Sequence, residues 1–145
     1  MIHVLLCQIG TIEDLDAKSV KKYLRRFLSD DRIIDLPKIL WRPILELIIN
    51  IRYKKVLQFY KDIWTPHGSP LHAISLEQQK ALQQELGDDY SVKLFLSYTE
   101  KHSIDDIYTK MQQEVLENLV VIPLFPQFSS ATTSGIADTV FSKLL

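Results

Sequence analysis

A chain of 145 residues that is 46% hydrophobic has the size and apolar content of one ordinary globular domain with a full core. Seventeen Lys and Arg against eighteen Asp and Glu leave a formal net charge of −1, which excludes bulk electrostatic attraction to nucleic acid or to an anionic membrane. The single cysteine, Cys7, excludes an intrachain disulfide and fits a reducing, cytoplasmic setting.

The first residues, Met1-Ile2-His3-Val4-Leu5-Leu6, have neither a basic n-region nor a small-residue cleavage site. They read as a buried first strand over residues 3–7 and not as a signal peptide. Val20, Tyr23, Leu24, Phe27 and Leu28 recur at i, i+3, i+4, i+7 and i+8, which predicts an amphipathic helix. The most apolar stretch, residues 44–51, is interrupted by Glu46 and Asn50 and bracketed by Arg42 and Arg52, well short of the roughly 18 to 20 apolar residues a membrane span needs. Burial, a ligand-cleft lip and a peripheral contact with lipid all remain open for it. Residues 15–86 are helix-rich and too long for one crossover. Pro37, Pro43, Pro66 and Pro70 are expected to break them into pieces, part of which projects from the layered core. Ser75 with Gln78 predicts a capping box and Gly87 a helix stop.

A second strand is expected over residues 92–97, and Ser103 with Asp106 caps a helix whose apolar face is Ile104, Ile107, Tyr108, Met111 and Val115. A third strand follows at residues 119–124, and a last helix runs from about Ile136 to the end. The three strand runs are almost continuously apolar, the pattern of strands covered by helices on both faces, so a parallel sheet is expected. The order of elements predicts an α/β chain: a three-layer sandwich of the Rossmann-like, doubly wound kind, with right-handed crossovers.

In such sheets the ligand crevice lies beyond the C-terminal strand ends, where residues 8–14, 98–103 and 125–135 should converge. The third segment is the most unusual, because Ser129, Ser130, Thr132, Thr133 and Ser134 put five hydroxyls before a helix start. Backbone amides and hydroxyls there suit an anionic group such as a carboxylate, or they merely cap the helix and close the turn. The four histidines carry no HxxxH or HExxH spacing: His3 lies in a strand, His67 and His72 flank a Gly-Ser-Pro-Leu turn, and His102 begins a helix. None of them is expected to hold a metal.

Residues Val120-Val121-Ile122-Pro123-Leu124-Phe125-Pro126-Gln127-Phe128-Ser129-Ser130-Ala131-Thr132-Thr133 resemble the strand and Pro-Gln-aromatic-Ser-x-x-Thr-Thr signature of the ferrochelatases. Four more segments resemble the same family in the same order: residues 5–11, residues 22–30, Tyr60-Lys61-Asp62-Ile63-Trp64, and Gly68-Ser69-Pro70-Leu71. The resemblance implies a chelatase-like fold, one N-terminal domain over residues 1–145 with a helical lip at about 33–64, and no second, catalytic domain. It implies the reaction of a lyase of haem biosynthesis, insertion of ferrous iron into protoporphyrin, with this chain supplying the porphyrin-binding half.

By the same resemblance Tyr60, Ser69 and Tyr98 line the porphyrin, Arg25 pairs with a propionate, and Ser129, Ser130, Thr132 and Thr133 of the hydroxyl loop bind the porphyrin as well. Leu40, Trp41, Ile44 and Leu45 form the hydrophobic lip. The family's metal-handling His and Glu lie in the second domain, so no catalytic and no metal-binding residue is expected here. The implied substrates are Fe²⁺ and protoporphyrin IX, with no cofactor required. The implied partners are the porphyrin and either the missing C-terminal half or a second copy, with no nucleic acid. Two alternatives are a non-catalytic porphyrin-binding half-domain and a small homodimeric tetrapyrrole chelatase. Residues 8–12, Gln-Ile-Gly-Thr-Ile, lack the family's Asn and Pro, and Ser97-Tyr98 lacks the Arg or Thr before the tyrosine and the Pro after it. Ile9 stands where some members carry a tyrosine that ligates product iron, which points to the protoporphyrin-using branch.

Overall fold

A computed structural model describes residues 1–111 and 118–144. In chain order the elements are β1 (Ile2–Gln8), α1 (Ala17–Leu28), α2 (Lys38–Ile63), α3 (Pro70–Leu86), β2 (Tyr90–Leu96), α4 (Ile104–Met111), β3 (Asn118–Pro123), a π-helical turn (Ser130–Ser134) and α5 (Gly135–Leu144). The chain divides into two compact units, residues 1–10 with 71–145, and residues 11–70.

The first unit is a three-layer α/β sandwich around a parallel sheet of order β2-β1-β3. Alternation along the strands sends successive side chains to opposite faces. Val4, Leu6, Val92, Leu94 and Leu96 therefore meet Leu76, Leu82 and Leu86 of α3. Leu5, Cys7 and Phe95 meet Ile104 and Ile107 of α4 and Ile136 and Val140 of α5. Each such fully buried large side chain contributes roughly 1.5–3 kcal/mol relative to leaving it in water. Burial also pushes the Cys7 thiol up to about 12, so Cys7 behaves as a small apolar side chain. The outer edge of β2 is closed by α3: Gln83 Nε2 donates to Tyr90 O at 2.9 Å, Val92 N donates to Gln83 Oε1 at 2.8 Å, and Gln79 Nε2 donates to Val92 O at 2.8 Å. Side-chain amides thus pair an edge that would otherwise offer itself to another strand.

Several expectations need correction. Burial on both faces holds for β1 and for the second half of β2 but not for β3, where Val120 is 45% and Ile122 36% exposed. These two share the α3 face by register, opposite Val4 and Leu6, and the core that α3 closes is built from β1 and β2 residues. Ser75 is not a cap. It is buried inside α3, which starts at Pro70, because a proline's fixed φ suits the first helical position better than it serves as a breaker. Pro43 does not break its helix either, since α2 runs unbroken for 26 residues. The one bond it cannot make is to Ile39 O near the helix start, and Ile39 is 88% exposed, so water can donate to that carbonyl instead. Tyr108 is exposed instead of joining Ile104 and Ile107 in the core, and Val115 lies outside the described residues. The Ser103 cap and the Gly87 stop are present: Asp106 N donates to Ser103 Oγ at 3.3 Å, and Gly87 takes φ +75° with its N–H on Gln83 O.

In the second unit α1 begins at the cap Asp16, whose Oδ1 accepts from Ser19 N at 2.7 Å. Helix α2, about 39 Å long at 1.5 Å per residue, buries only Leu45 and Ile49 completely. No helix among the described residues is long and apolar enough to cross a membrane.

Candidate functional site

In a parallel sheet the C-terminal strand ends share one edge, and here the backbone pairing continues one step past it. Ser97 N donates to Gln8 O at 3.0 Å, Tyr98 N to Ile9 O at 3.2 Å, and Leu124 N to Cys7 O at 2.8 Å. The three loops therefore start side by side, with Tyr98 half-buried among them. Gly10 is required at the first: its φ is +92°, and a Cβ there would sit 2.5 Å from the side-chain oxygen of the buried Thr99.

The third loop leads into the π-helical turn, a form that recurs at functional sites. Ser129 caps it with its carbonyl, which accepts from Thr132 N at 3.3 Å and Ser134 N at 3.2 Å, while its side chain makes no capping bond. Instead Ser129 Oγ and Thr132 Oγ1 lie 2.6 Å apart. One of that pair donates to the other, so a hydroxyl proton stays available to an outside acceptor. Ser129 and Ser130 are exposed, Thr132 and Thr133 are half-buried, and Phe128 beside them is 74% exposed.

In the helical unit Thr11 Oγ1 donates to Ser69 Oγ at 2.9 Å and lies 3.4 Å from Tyr60 Oη. Thr11 and Ser69 are buried and Tyr60 is half-buried. A tight turn places Ser69: Thr65 N and Gly68 O are 3.0 Å apart, Gly68 N donates back to Thr65 O at 2.9 Å, and Gly68 takes φ +92°. Tyr60 packs edge-on to Trp64 at 6.4 Å, and Tyr23 stacks on Phe27 at 6.1 Å. Burial first, and then the neighbouring Tyr60, raise the Tyr23 phenol above its usual range.

Arg25 is held by Glu46 through Nε at 2.6 Å and Nη2 at 2.8 Å. The bidentate contact raises the arginine pKa further and lowers that of Glu46. Three of the five guanidinium N–H donors stay outside that fork. The guanidinium borders a groove of about 510 Å³ with Lys18, Lys21, Lys22 and Tyr53, where Lys21 Nζ lies 4.3 Å from the Tyr53 ring centroid. These cations sit at i, i+3, i+4 and i+7 on α1, a polar stripe that sequence reasoning passed over in favour of the apolar face.

The lip residues divide. Leu40 and Ile44 are exposed, and with Leu47 and Ile51 they make an apolar stripe along α2. Leu45 is corrected to a core residue, because one position further round the helix turns it inward. Trp41 is half-buried and tied by Nε1–H to Leu28 O at 2.7 Å. Of the histidines, His3 is buried in β1, His67 is exposed, and burial lowers the pKa of His102, with His72 adding to the effect. Among the described residues no group of three or more His, Cys, Asp and Glu is placed to hold a metal ion.

With the site residues distributed in this way, residues 2–145 match the family model Ferrochelatase. The chain belongs to the ferrochelatase family. It is 41% identical over 147 residues to a coproporphyrin III ferrochelatase of Streptococcus mutans serotype c, a match that covers 99% of this chain and 46% of that protein. It is 42% identical to a ferrochelatase of Actinobacillus pleuropneumoniae serotype 3, over 94% of this chain and 44% of the relative. It is 40% identical to ferrochelatase 1 of Shewanella oneidensis, over 94% and 42%. The chain spans less than half the length of the relatives it matches.

Two residues belong beside the expected ones. Thr11 connects Ser69 and Tyr60 and was visible only as the residue after Gly10 in a resembling segment. Phe128 was visible as an aromatic set between Gln127 and a run of hydroxyls.

Proposed function

We propose that this chain supplies the porphyrin-holding half of a ferrochelatase, which inserts Fe²⁺ into protoporphyrin IX in haem biosynthesis and releases the two pyrrole protons. The observation that carries the reading is the family match along residues 2–145. The chemistry of the two units supports it. A flat tetrapyrrole needs apolar and aromatic walls with a few polar groups at its edge. Tyr60, Trp64 and the Leu40–Ile44 stripe offer walls in one unit, and Tyr98 and Phe128 offer aromatic faces in the other. The Ser129, Ser130, Thr132 and Thr133 hydroxyls offer donors to a propionate, as do Arg25 and the lysines of the α1 groove. Ser69, having accepted from Thr11, can donate its own proton onward. Ile9 brings no oxygen ligand for product iron, which favours protoporphyrin over coproporphyrin. The residues that take the pyrrole protons and hand over Fe²⁺ belong to a second half. The buried reduced Cys7 suits a cytoplasmic setting, and the α2 stripe suits a peripheral contact with lipid.

A second reading, a chelatase built from two copies of this chain, is favoured by the bare β3 face at Val120 and Ile122.

Fluorescence titration of the chain with protoporphyrin IX and, separately, coproporphyrin III tests both readings, with size exclusion alongside and anaerobic Fe²⁺ or Zn²⁺ added afterwards. Binding that prefers protoporphyrin, with insertion only when a C-terminal-half polypeptide of a relative is supplied, is the expected result. Binding of neither porphyrin overturns the proposal, and insertion by a dimer of the chain alone selects the second reading.

A further inference from the structure

Two histidines that the porphyrin reading does not use lie side by side in the sheet unit. His72 is in the first turn of α3 and His102 is in the bend between β2 and α4; their ring centroids are 5.4 Å apart and the planes are tilted by 56°. That tilt excludes face-to-face stacking. Two imidazole nitrogens sharing one tetrahedral ion at about 2.0–2.1 Å, each roughly 1.2 Å from its ring centre, put the centroids about 5.2 Å apart. The observed 5.4 Å lies close to that separation. Nε2 of His72 is shielded from solvent, and a turn of either ring about its Cβ–Cγ bond exchanges which nitrogen faces the other.

The backbone holds this juxtaposition in place. His102 sits at φ +60°, a left-handed conformation that glycine and asparagine adopt more readily than histidine. Leu96 N donates to His102 O at 2.9 Å, Ser103 N donates to Glu100 O at 3.2 Å, and the Ser103 cap ties the bend to α4. Helix α4 is itself anchored by the buried Ile104 and Ile107. A histidine in a strained bend, on a frame fixed at both ends, is the kind of outlier from which a function is inferred.

We propose that His72 and His102 form a two-imidazole site for a divalent first-row transition-metal ion of the Zn²⁺, Ni²⁺ or Cu²⁺ kind, with water completing its coordination. The charges near His102 are Asp106, whose Oδ2 is 2.8 Å from Lys110 Nζ, and Lys101. One carboxylate against two ammonium groups gives no field for Mg²⁺ or Ca²⁺, so the selectivity comes from imidazole nitrogen. With two protein ligands the ion exchanges with solvent, unlike one in a closed four-ligand structural site. Neither histidine is among the residues placed at the porphyrin, so the metal titration is read separately from the porphyrin titration.

Calorimetric titration of the full chain with ZnCl₂ and with NiCl₂ tests the site, together with the visible spectrum of added Co²⁺. His72→Gln, His102→Asn and His67→Ala are the variants, each checked for fold by circular dichroism. His102→Asn suits the left-handed backbone and keeps the bend. The expected result is one ion per chain, with affinity at least about tenfold weaker in His72→Gln and His102→Asn and unchanged in His67→Ala. Equal affinity in wild type, His72→Gln and His102→Asn, or a loss in His67→Ala as large as in those two, overturns the proposal.

Discussion

In the sheet unit, strands β1 and β2 send successive apolar side chains into two cores, and Val4, Leu5, Leu6, Cys7, Leu94, Phe95 and Leu96 are all buried. In the helical unit, α2 carries about as many apolar residues, yet Ile39, Leu40, Ile44, Leu47, Ile51, Phe59 and Ile63 stay in water. A strand with helices on both faces buries both sides, whereas a helix packed along one side, here α2 on α1, buries one stripe. That exposed apolar stripe is the surface the proposed porphyrin lip or lipid contact would use. The same contrast appears inside the sheet, where β3 keeps one face bare while β1 keeps none.

Truncation on either side of that contrast tests it most directly. Phe95→Ala should cost about 3–5 kcal/mol in urea denaturation, whereas Leu47→Ala should stay within about 0.5 kcal/mol. Comparable losses would mean that the stripe on α2 is covered in solution. Next in size is Gly10→Ala, expected to cost about 1–3 kcal/mol, because it meets both the positive φ and the Thr99 side chain. Adding Thr99→Ala should recover part of the loss, and full recovery would show that the backbone conformation contributes nothing. Ser69→Ala should cost about 1–2 kcal/mol by leaving the buried Thr11 hydroxyl without its 2.9 Å acceptor, and should weaken porphyrin binding in the same preparation. Porphyrin affinity unchanged by Ser69→Ala would remove Ser69 from the site.

The smallest effect is electrostatic. Arg25 holds Glu46 below its ordinary 4.5, so the folded state binds the proton less readily than the unfolded chain does. The stabilisation is present above that ordinary value and is lost as pH falls through the lower, folded one. Both side chains are about half exposed, so salt should weaken the effect. Glu46→Gln should flatten this part of the acid limb of the stability–pH curve, and an unchanged limb would mean the contact is not maintained in solution.

Much of the sheet unit was legible in the sequence. Continuous apolar runs name strands because the pattern is local, and Gly87 and Ser103 mark helix ends through bonds made within four residues. Pro70 misled because one residue type both stops and starts helices, and which it does depends on whether Ser69 and the Thr65–Gly68 turn lead into it. Leu45 misled because at the edge of an apolar stripe one helical step separates core from surface, and only the position of α1 decides it. The hydroxyl loop was visible as composition, while the Ser129–Thr132 contact was not. The Thr11–Ser69 bond joins residues 58 apart, and no periodicity reports such a pairing.

The amino-acid order by itself determined the α/β class, the strands and the family, because each rests on local patterning or on motifs in sequence. The tertiary structure alone decided which apolar residues stay in water, which hydroxyls meet, and that His72 and His102 stand 5.4 Å apart. Those depend on how distant segments pack, and packing is set by the sum of many weak contacts that no single stretch of chain contains.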